Sequence, residues 1–360
     1  MTKIDIAQIR LFSQQLVQAW SSSPAELVAA MGAMQAQDFP MAKWAVGVRQ
    51  PATSEDFVES AIDKGEILRT HLLRPTWHFV AAQDIYWILD LTARHVMAAQ
   101  GARERQLELT ETVFSLSNTV IGSEVAGGHE RTRQELISAL QQAGIRTDQN
   151  RASHLLARAE LEKIICSGPT INGKTTYALL SERVPSARTM TRESALAELA
   201  RRYFTARCPA TMQDFAWWSG LPAREVKLAL ELVKQDFSPE AIDGVTYWFP
   251  RELPGPFSGE IPAFLLPTYD EYIISYSERS AAMERGLEQH LKEISDRGVF
   301  RPVILIEGRV QGTWKRTLQK DSVHVEVSPF SQLDDEKTDR LRAAAERYAR
   351  FLHRTLEFHC

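Results

Sequence analysis

Cysteine is scarce in this 360-residue chain: Cys166, Cys208 and Cys360 lie far apart and form no Cys-x-x-Cys. That excludes a disulfide scaffold and a cysteine-built metal site, and it predicts reduced, inert thiols. Long hydrophobic runs are also missing. No stretch approaches the roughly 20 apolar residues that cross a bilayer. The opening residues, MTKIDIAQIRLF, lack the basic start, apolar core and small-residue cleavage site of a secretion signal. A cytoplasmic protein without a membrane partner is expected. Neither charge sign dominates: 42 basic residues stand against 46 acidic ones, a formal −4. No segment is basic as a whole, so contact with nucleic acid has to come from local patches.

The common catalytic signatures are absent too. There is no GxxxxGK[ST] phosphate loop, no GxGxxG after a strand, no HExxH and no GxSxG elbow. The nine histidines are scattered, and His353 and His359 beside Cys360 read as chance proximity. No metal and no cofactor is expected. Asp270-Glu271 resembles an acid–base pair, but adjacent residues on a strand point to opposite faces. These two therefore read as partners of nearby arginines.

What is present is ordinary globular material, 44% apolar and 24% charged. Its length corresponds to two or three domains at roughly 150 residues each. Apolar spacing predicts a helix over 4–20, and Ser23-Pro24 opens another that runs through Met31 and Met34. Short helices follow over 41–48 and from Ser54 to Lys64-Gly65. Then ILRTHLLRPTWHFV (67–80), rich in β-formers and broken at Arg74-Pro75, reads as two strands and a turn. Helices followed by a hairpin outline a winged helix-turn-helix.

The outline recurs. Helices over 132–143 and 149–161 precede a hairpin whose tip holds Pro169, Asn172 and Gly173. Helices over 196–204 and 211–218, and one through Val226, Leu230 and Val233, precede the strand VTYWF (245–249). Trp217 and Trp218, next to a tight turn, read as core. Residues 250–262 hold four prolines and two glycines, a linker. Beyond it come AFLL, VILI, RVQGTWK and VHVEV, a helix over 281–296, and a closing helix through Leu341, Tyr348, Leu352 and Leu356. The charge cluster 333–340 reads as its solvated start. The fold class is α+β: three tandem winged helix-turn-helix units and a C-terminal β-rich, barrel-like module. The divisions fall at 1–125, 126–190, 191–255 and 256–360.

Positions 34–38 read Met-Gln-Ala-Gln-Asp, and Gln-x-Gln alone means little. Five segments in order change its weight: GAMQAQDFPMAKWAVGVR, LLRPTWHFVAAQDI, CPATMQDFAWWSGLP, LLPTYDEYIISYSER and ILIEGRVQGTWKR. Together, over about 6–330, they resemble the tandem winged-helix DNA glycosylases of the AlkZ, crosslink-repair type. The resemblance implies a C-shaped assembly around duplex DNA, removal of N7-alkylated purines and unhooking of interstrand crosslinks. It also implies a catalytic glutamine–hydrophobic–glutamine or glutamine–hydrophobic–aspartate motif. Gln35-Ala36-Gln37 matches the first form; the other branch has an acid where Gln37 stands, and Asp38, one residue further on, is not that acid. Asp270, Glu271 and Arg279 fall in a signature segment and are given no role beyond structure.

The chemistry suits amides. Alkylation at N7 makes the purine cationic and a good leaving group, so the barrier lies in the oxocarbenium-like sugar and in delivering water. Two glutamines can fix one water or steady the sugar cation. With no lysine in the motif, base release without Schiff-base strand cleavage is expected.

Arg69, His71, Arg74, Thr76, Trp77 and His78 on the first hairpin suit phosphate contact or groove insertion, although a core position suits Trp77 equally well. Trp314, Lys315 and Arg316 form a second basic-aromatic candidate, and Arg131, Arg133, Arg146 and Arg151 a third. The expected partner is double-stranded DNA carrying alkylated purines, bound by a monomer. Two alternatives stay open: a non-catalytic winged-helix regulator, and a narrow self-resistance glycosylase for one alkylating natural product.

Overall fold

A computed structural model describes residues 3–186, 188–252, 259–283, 288–296 and 298–360. The chain begins with helix Lys3–Ser13, shorter than the apolar spacing suggests. Gln15 takes φ 59° and the Leu16 N–H turns back to the Leu11 carbonyl at 2.9 Å, which ends the helix while still burying Leu16. Ser23 caps helix Pro24–Met31 as expected. That helix stops before Met34, because Gly32 adopts φ 75° and releases the chain into a strand, Met34–Gln35.

Helices Phe39–Gly47 and Glu55–Asp63 follow, then the hairpin Ile67–Leu72 and Arg74–Ala81. Its turn residue is Leu73 at φ 61°. Pro75 therefore sits at the start of the second strand, where a proline is tolerated. Strand Met34–Gln35 adds to the far side of Arg74–Ala81, with Gln35 opposite His78, while Thr70 lies opposite His78 from the other strand.

Two helices, Ile85–Gln106 and Glu111–Val125, lead to a second set of helices, Arg133–Gln142 and Arg151–Leu161, and a hairpin, Ile165–Ser167 with Thr176–Leu179. Thr132 and Glu135 form a capping box at the first of these helices. A third set comprises Arg192–Ala206, Met212–Ser219 and Ala223–Val233, with strands Phe237–Ile242 and Val245–Pro250. The first of those strands escaped the sequence reading. Its signal is Asp243-Gly244, which turn the hairpin at φ 49° and 79°.

The C-terminal region is an open five-stranded sheet and not a barrel. Its order runs Thr355–His359, Ser322–Pro329, Arg309–Leu318, Val303–Ile306, Phe264–Leu266. Closure would need the two outer strands to pair, and no such pairing occurs among the described residues. Helix Asp335–Phe351, capped by Asp334, ends before Leu356, which lies in the parallel edge strand.

Of the helix expected over 281–296, residues 284–287 lie outside the described set. The described remainder is short 3-10 turns, one helical turn at Leu291–Ile294 and a strand at Ser295–Asp296. Extended pairing wins there: Met283 bridges to Val310, and Asp296 pairs with Val299. Residues 253–258 of the proline-rich linker likewise lie outside the described residues.

Apolar burial stitches distant parts together. One core unites the helices around Trp44 with the C-terminal sheet, through Leu265, Tyr348 and Phe351. The Trp44 indole N–H donates to the Leu265 carbonyl at 2.7 Å, and a Cβ on Gly47 would lie 2.5 Å from the Phe351 ring. A second core joins the first hairpin, helix Ile85–Gln106 and the third set of helices. The second set has its own smaller core.

Candidate active site

Gln35-Ala36-Gln37 occupies a strand-to-helix junction. Asp38 caps the following helix through the Met41 N–H, with proline in its first turn, so the residues before it stay extended. Ala36 is fully buried and its N–H donates to the Trp77 carbonyl at 2.7 Å. Gln35 is 8% exposed, and its Oε1 accepts from Arg74 Nη2 at 3.0 Å. Gln37 is exposed, and its Oε1 accepts the Trp77 N–H at 3.4 Å. Arg69 closes the turn from below, donating to the carbonyls of Ala36 at 2.9 Å and Gln37 at 3.3 Å. The structure thus brings both glutamines and the hairpin residues Arg69, Arg74 and Trp77 into one constellation.

The hairpin has two polar faces. On one, Gln35, His78 and Thr70 stand in cross-strand register, with Arg74 reaching Gln35. On the other, Trp77 lies under the Arg69 guanidinium (4.3 Å to the ring centroid) and 4.6 Å from the His71 ring. Glu160, arriving from helix Arg151–Leu161, accepts from the Trp77 indole at 3.3 Å and from the His71 backbone at 2.7 Å. It also lies 2.5 Å from His71 Nδ1. Trp77 is half-buried, so it is neither a core residue nor a free blade.

His78 is fully buried. Burial, reinforced by Arg74, pushes its imidazole down to about 3. It is neutral at ordinary pH, with Nδ1 2.9 Å from the Thr76 carbonyl. A histidine depressed in the fold contributes stability that is complete above its unfolded value near 6.5 and is lost as pH falls toward 3. His78→Gln removes that titration. Thermal denaturation should show a shallower acid limb between pH 6.5 and about 3 in the variant, and identical limbs would show that this residue does not titrate on unfolding.

Glu271 anchors the Gln35 backbone, a contact the sequence did not reveal. It opens a short helix, Glu271–Ile274, rather than lying on a strand, and its Oε1 accepts the Gln35 backbone N–H at 2.7 Å. Its Oε2 accepts from Arg207 Nη2 (2.6 Å), Ser275 Oγ (2.5 Å) and Trp218 Nε1 (3.1 Å). Burial alone would raise this carboxyl. Arg207 and the donors around it outweigh burial and hold it at about 2. Asp270 grips Arg49 with both oxygens, at 2.8 and 2.9 Å, so each acid has the arginine partner expected of it.

Other candidates fall elsewhere. Trp314 is 3% exposed and its indole N–H is spent on the Leu266 carbonyl, so it belongs to the core and not to a binding face. Lys315 is exposed and paired with Glu326 at 2.8 Å, and Arg316 contacts the Tyr348 hydroxyl. Arg131 pairs with Glu124, Arg133 meets Ser153, and Arg146 and Arg151 share Glu108 and Asp148. Trp218 is buried, but Trp217 is 45% exposed, contrary to expectation. Cys166 and Cys208 are buried thiols, each pushed up by burial to about 12. Among the described residues no group of three or more His, Cys, Asp or Glu could hold a metal, and no helix is long and apolar enough to cross a membrane.

The chain is α+β, with two glutamines packed beside a hairpin that carries Arg69 and Arg74, and comparison places it in a family. The family model described as "DNA glycosylase AlkZ-like" matches residues 28–351, and the chain belongs to that family. A relative named "Interstrand DNA cross-link repair glycosylase" from Streptomyces sahachiroi is 23% identical over 344 residues, covering 89% of this chain and 88% of the relative. The solved structure of Streptomyces sahachiroi DNA glycosylase AlkZ superposes with a TM-score of 0.80 over 99% of both chains at 19% identity, which establishes the shared fold.

Proposed function

We propose that the protein hydrolyses the N-glycosidic bond of N7-alkylated purines in duplex DNA, including purines joined in interstrand crosslinks. The observation that carries this reading is a motif with amides and no free acid or amine. Asp38 is used as a helix cap, Glu271 is surrounded by donors, and Lys43 is tied to Glu55 at 2.8 Å and Glu59 at 3.6 Å. Amides cannot protonate a leaving group, so the base must already be cationic. Water held by Gln35 and Gln37 adds to C1′. The C1′–N9 bonding pair leaves with the purine and cancels its positive charge, and the water's proton passes to solvent. The motif itself contains no lysine, so strand cleavage through a Schiff base is not expected.

In this reading the three helix-and-hairpin sets are winged helices forming a C around the duplex, and the four sequence blocks are its modules. Arg69 and Arg74 would meet phosphates. The net charge is −4, and several surface cations, Arg146 and Arg192 among them, are paired with acids. The slope of log K against log[salt] should therefore be shallower than about −4; a slope near −8 would mean a far larger phosphate footprint.

Incubation with N7-methylguanine DNA and with a crosslinked duplex, followed by mass spectrometry of free bases, tests the activity. Release well above spontaneous depurination is expected, with uracil and 1,N6-ethenoadenine left in place. Tight binding without release would identify a regulator instead.

A further inference from the structure

We propose that Trp217 is the platform on which the cationic purine stacks, turned out of the helix, and that Arg279 holds a neighbouring phosphate. This rests on the glycosylase reading above and assigns its lesion-recognition residue. Residues 217 and 218 lie about 100° apart around their helix, and only Trp218 faces the core. Trp217 keeps 45% of its surface exposed. Its indole N–H donates to the Ile274 carbonyl at 2.9 Å. The ring is thereby fixed in orientation and its one polar atom is satisfied, so the exposed part offers π surface alone.

Two cations border that ring. The Arg74 guanidinium lies 5.9 Å from the Trp217 centroid and also donates to Gln35 Oε1, so the indole stands one side chain away from the catalytic amide. The Arg279 guanidinium lies 5.4 Å from the centroid, anchored through Nε to the Ile273 carbonyl at 3.0 Å. A second observation points to a ligand. Arg279 Nη2 and Arg74 Nε each lack an acceptor among the described residues. Unmet buried donors are uncommon, and both side chains are only half-buried, so a small rotation can offer these N–H groups to an incoming acceptor. An aromatic face beside two under-satisfied guanidiniums fits a nucleotide: a flat base, and a phosphate rich in acceptor oxygens.

Charge then supplies selection. An indole face attracts a cation through its quadrupole, so an N7-alkylated purine stacks more strongly than a neutral one, while phosphates offset the arginines.

The test uses a duplex with one 2′-fluoro-stabilised N7-methyldeoxyguanosine, which binds without being cleaved. Wild-type tryptophan fluorescence should be quenched on binding, and most of the quench should disappear in Trp217→Phe. Trp217→Ala should lose about 10-fold of its preference for the lesion duplex over the undamaged one, with Phe retaining part of it. Arg279→Ala should weaken binding to both duplexes alike and reduce the salt slope by about 1. Absence of quenching in the wild type, identical quenching in Trp217→Phe, or an unchanged preference in Trp217→Ala overturns the proposal. If quenching depends on Trp217 but no base leaves a hydrolysable duplex, the platform stands and the glycosylase reading falls. If bases leave and Trp217 is irrelevant, the reverse holds.

Discussion

Replacing Gln35 with alanine is expected to slow single-turnover release of N7-methylguanine on the order of 100-fold, with little change in affinity for DNA. Positioned hydrogen-bonding groups that act on a developing charge typically contribute 10²–10³-fold, roughly, when removed singly. Gln35 is held as such a group must be, with its backbone locked by Glu271 and its side-chain oxygen oriented by Arg74. Gln37→Ala should act in the same direction with almost no effect on stability, since that side chain is exposed and makes one long contact, 3.4 Å to the Trp77 N–H. The double variant should lose little more than the worse single one, as residues that share one water act as a unit. The measurement is a single-turnover time course beside a binding isotherm. Release within twofold of wild type in the double variant would remove the amides from the mechanism.

Glu271→Gln should be costly in a different way. The carboxylate is 1% exposed, and with Arg207 it forms an ion pair sealed from solvent on both sides. Neutralising it leaves the arginine charge buried, and breaking such pairs typically costs about 3–5 kcal/mol. It also weakens the acceptor that fixes the Gln35 backbone, so release should fall by about tenfold or more even at temperatures where the variant is fully folded. Because the carboxyl is held at about 2 in the fold, its contribution is complete above the unfolded value near 4.5 and is lost as pH drops from there toward 2. The variant should therefore lack that part of the acid transition. A folded Glu271→Gln protein releasing base at the wild-type rate would reduce Glu271 to a purely structural pair.

Much of the local architecture was legible. Ser23-Pro24, Ser54 and Thr132 mark helix starts because a side-chain oxygen meeting an orphan N–H is a contact over three residues. The alternation of VHVEV matches its strand because alternate residues face one core. Other elements were misread for identifiable reasons. Met31 and Met34 keep a helical spacing, yet Gly32 sits between them in a left-handed conformation and Met34 pairs with Phe79. Leu356 continues the apolar series of the last helix but is drawn into a parallel strand beside Val323. In both cases a long-range pairing overrode a local period.

Sequence alone determined the α+β class, the sites of caps and turns, and the presence of a glutamine pair where an acid might have stood, since each of these is written within a few neighbouring residues. Tertiary structure decided which of two adjacent tryptophans faces outward, that Trp314 is interior, and that Gln35 is anchored by a carboxylate 236 residues further along the chain. Those outcomes depend on which surfaces come together to exclude water, and nothing in a local run of residues specifies its distant partner.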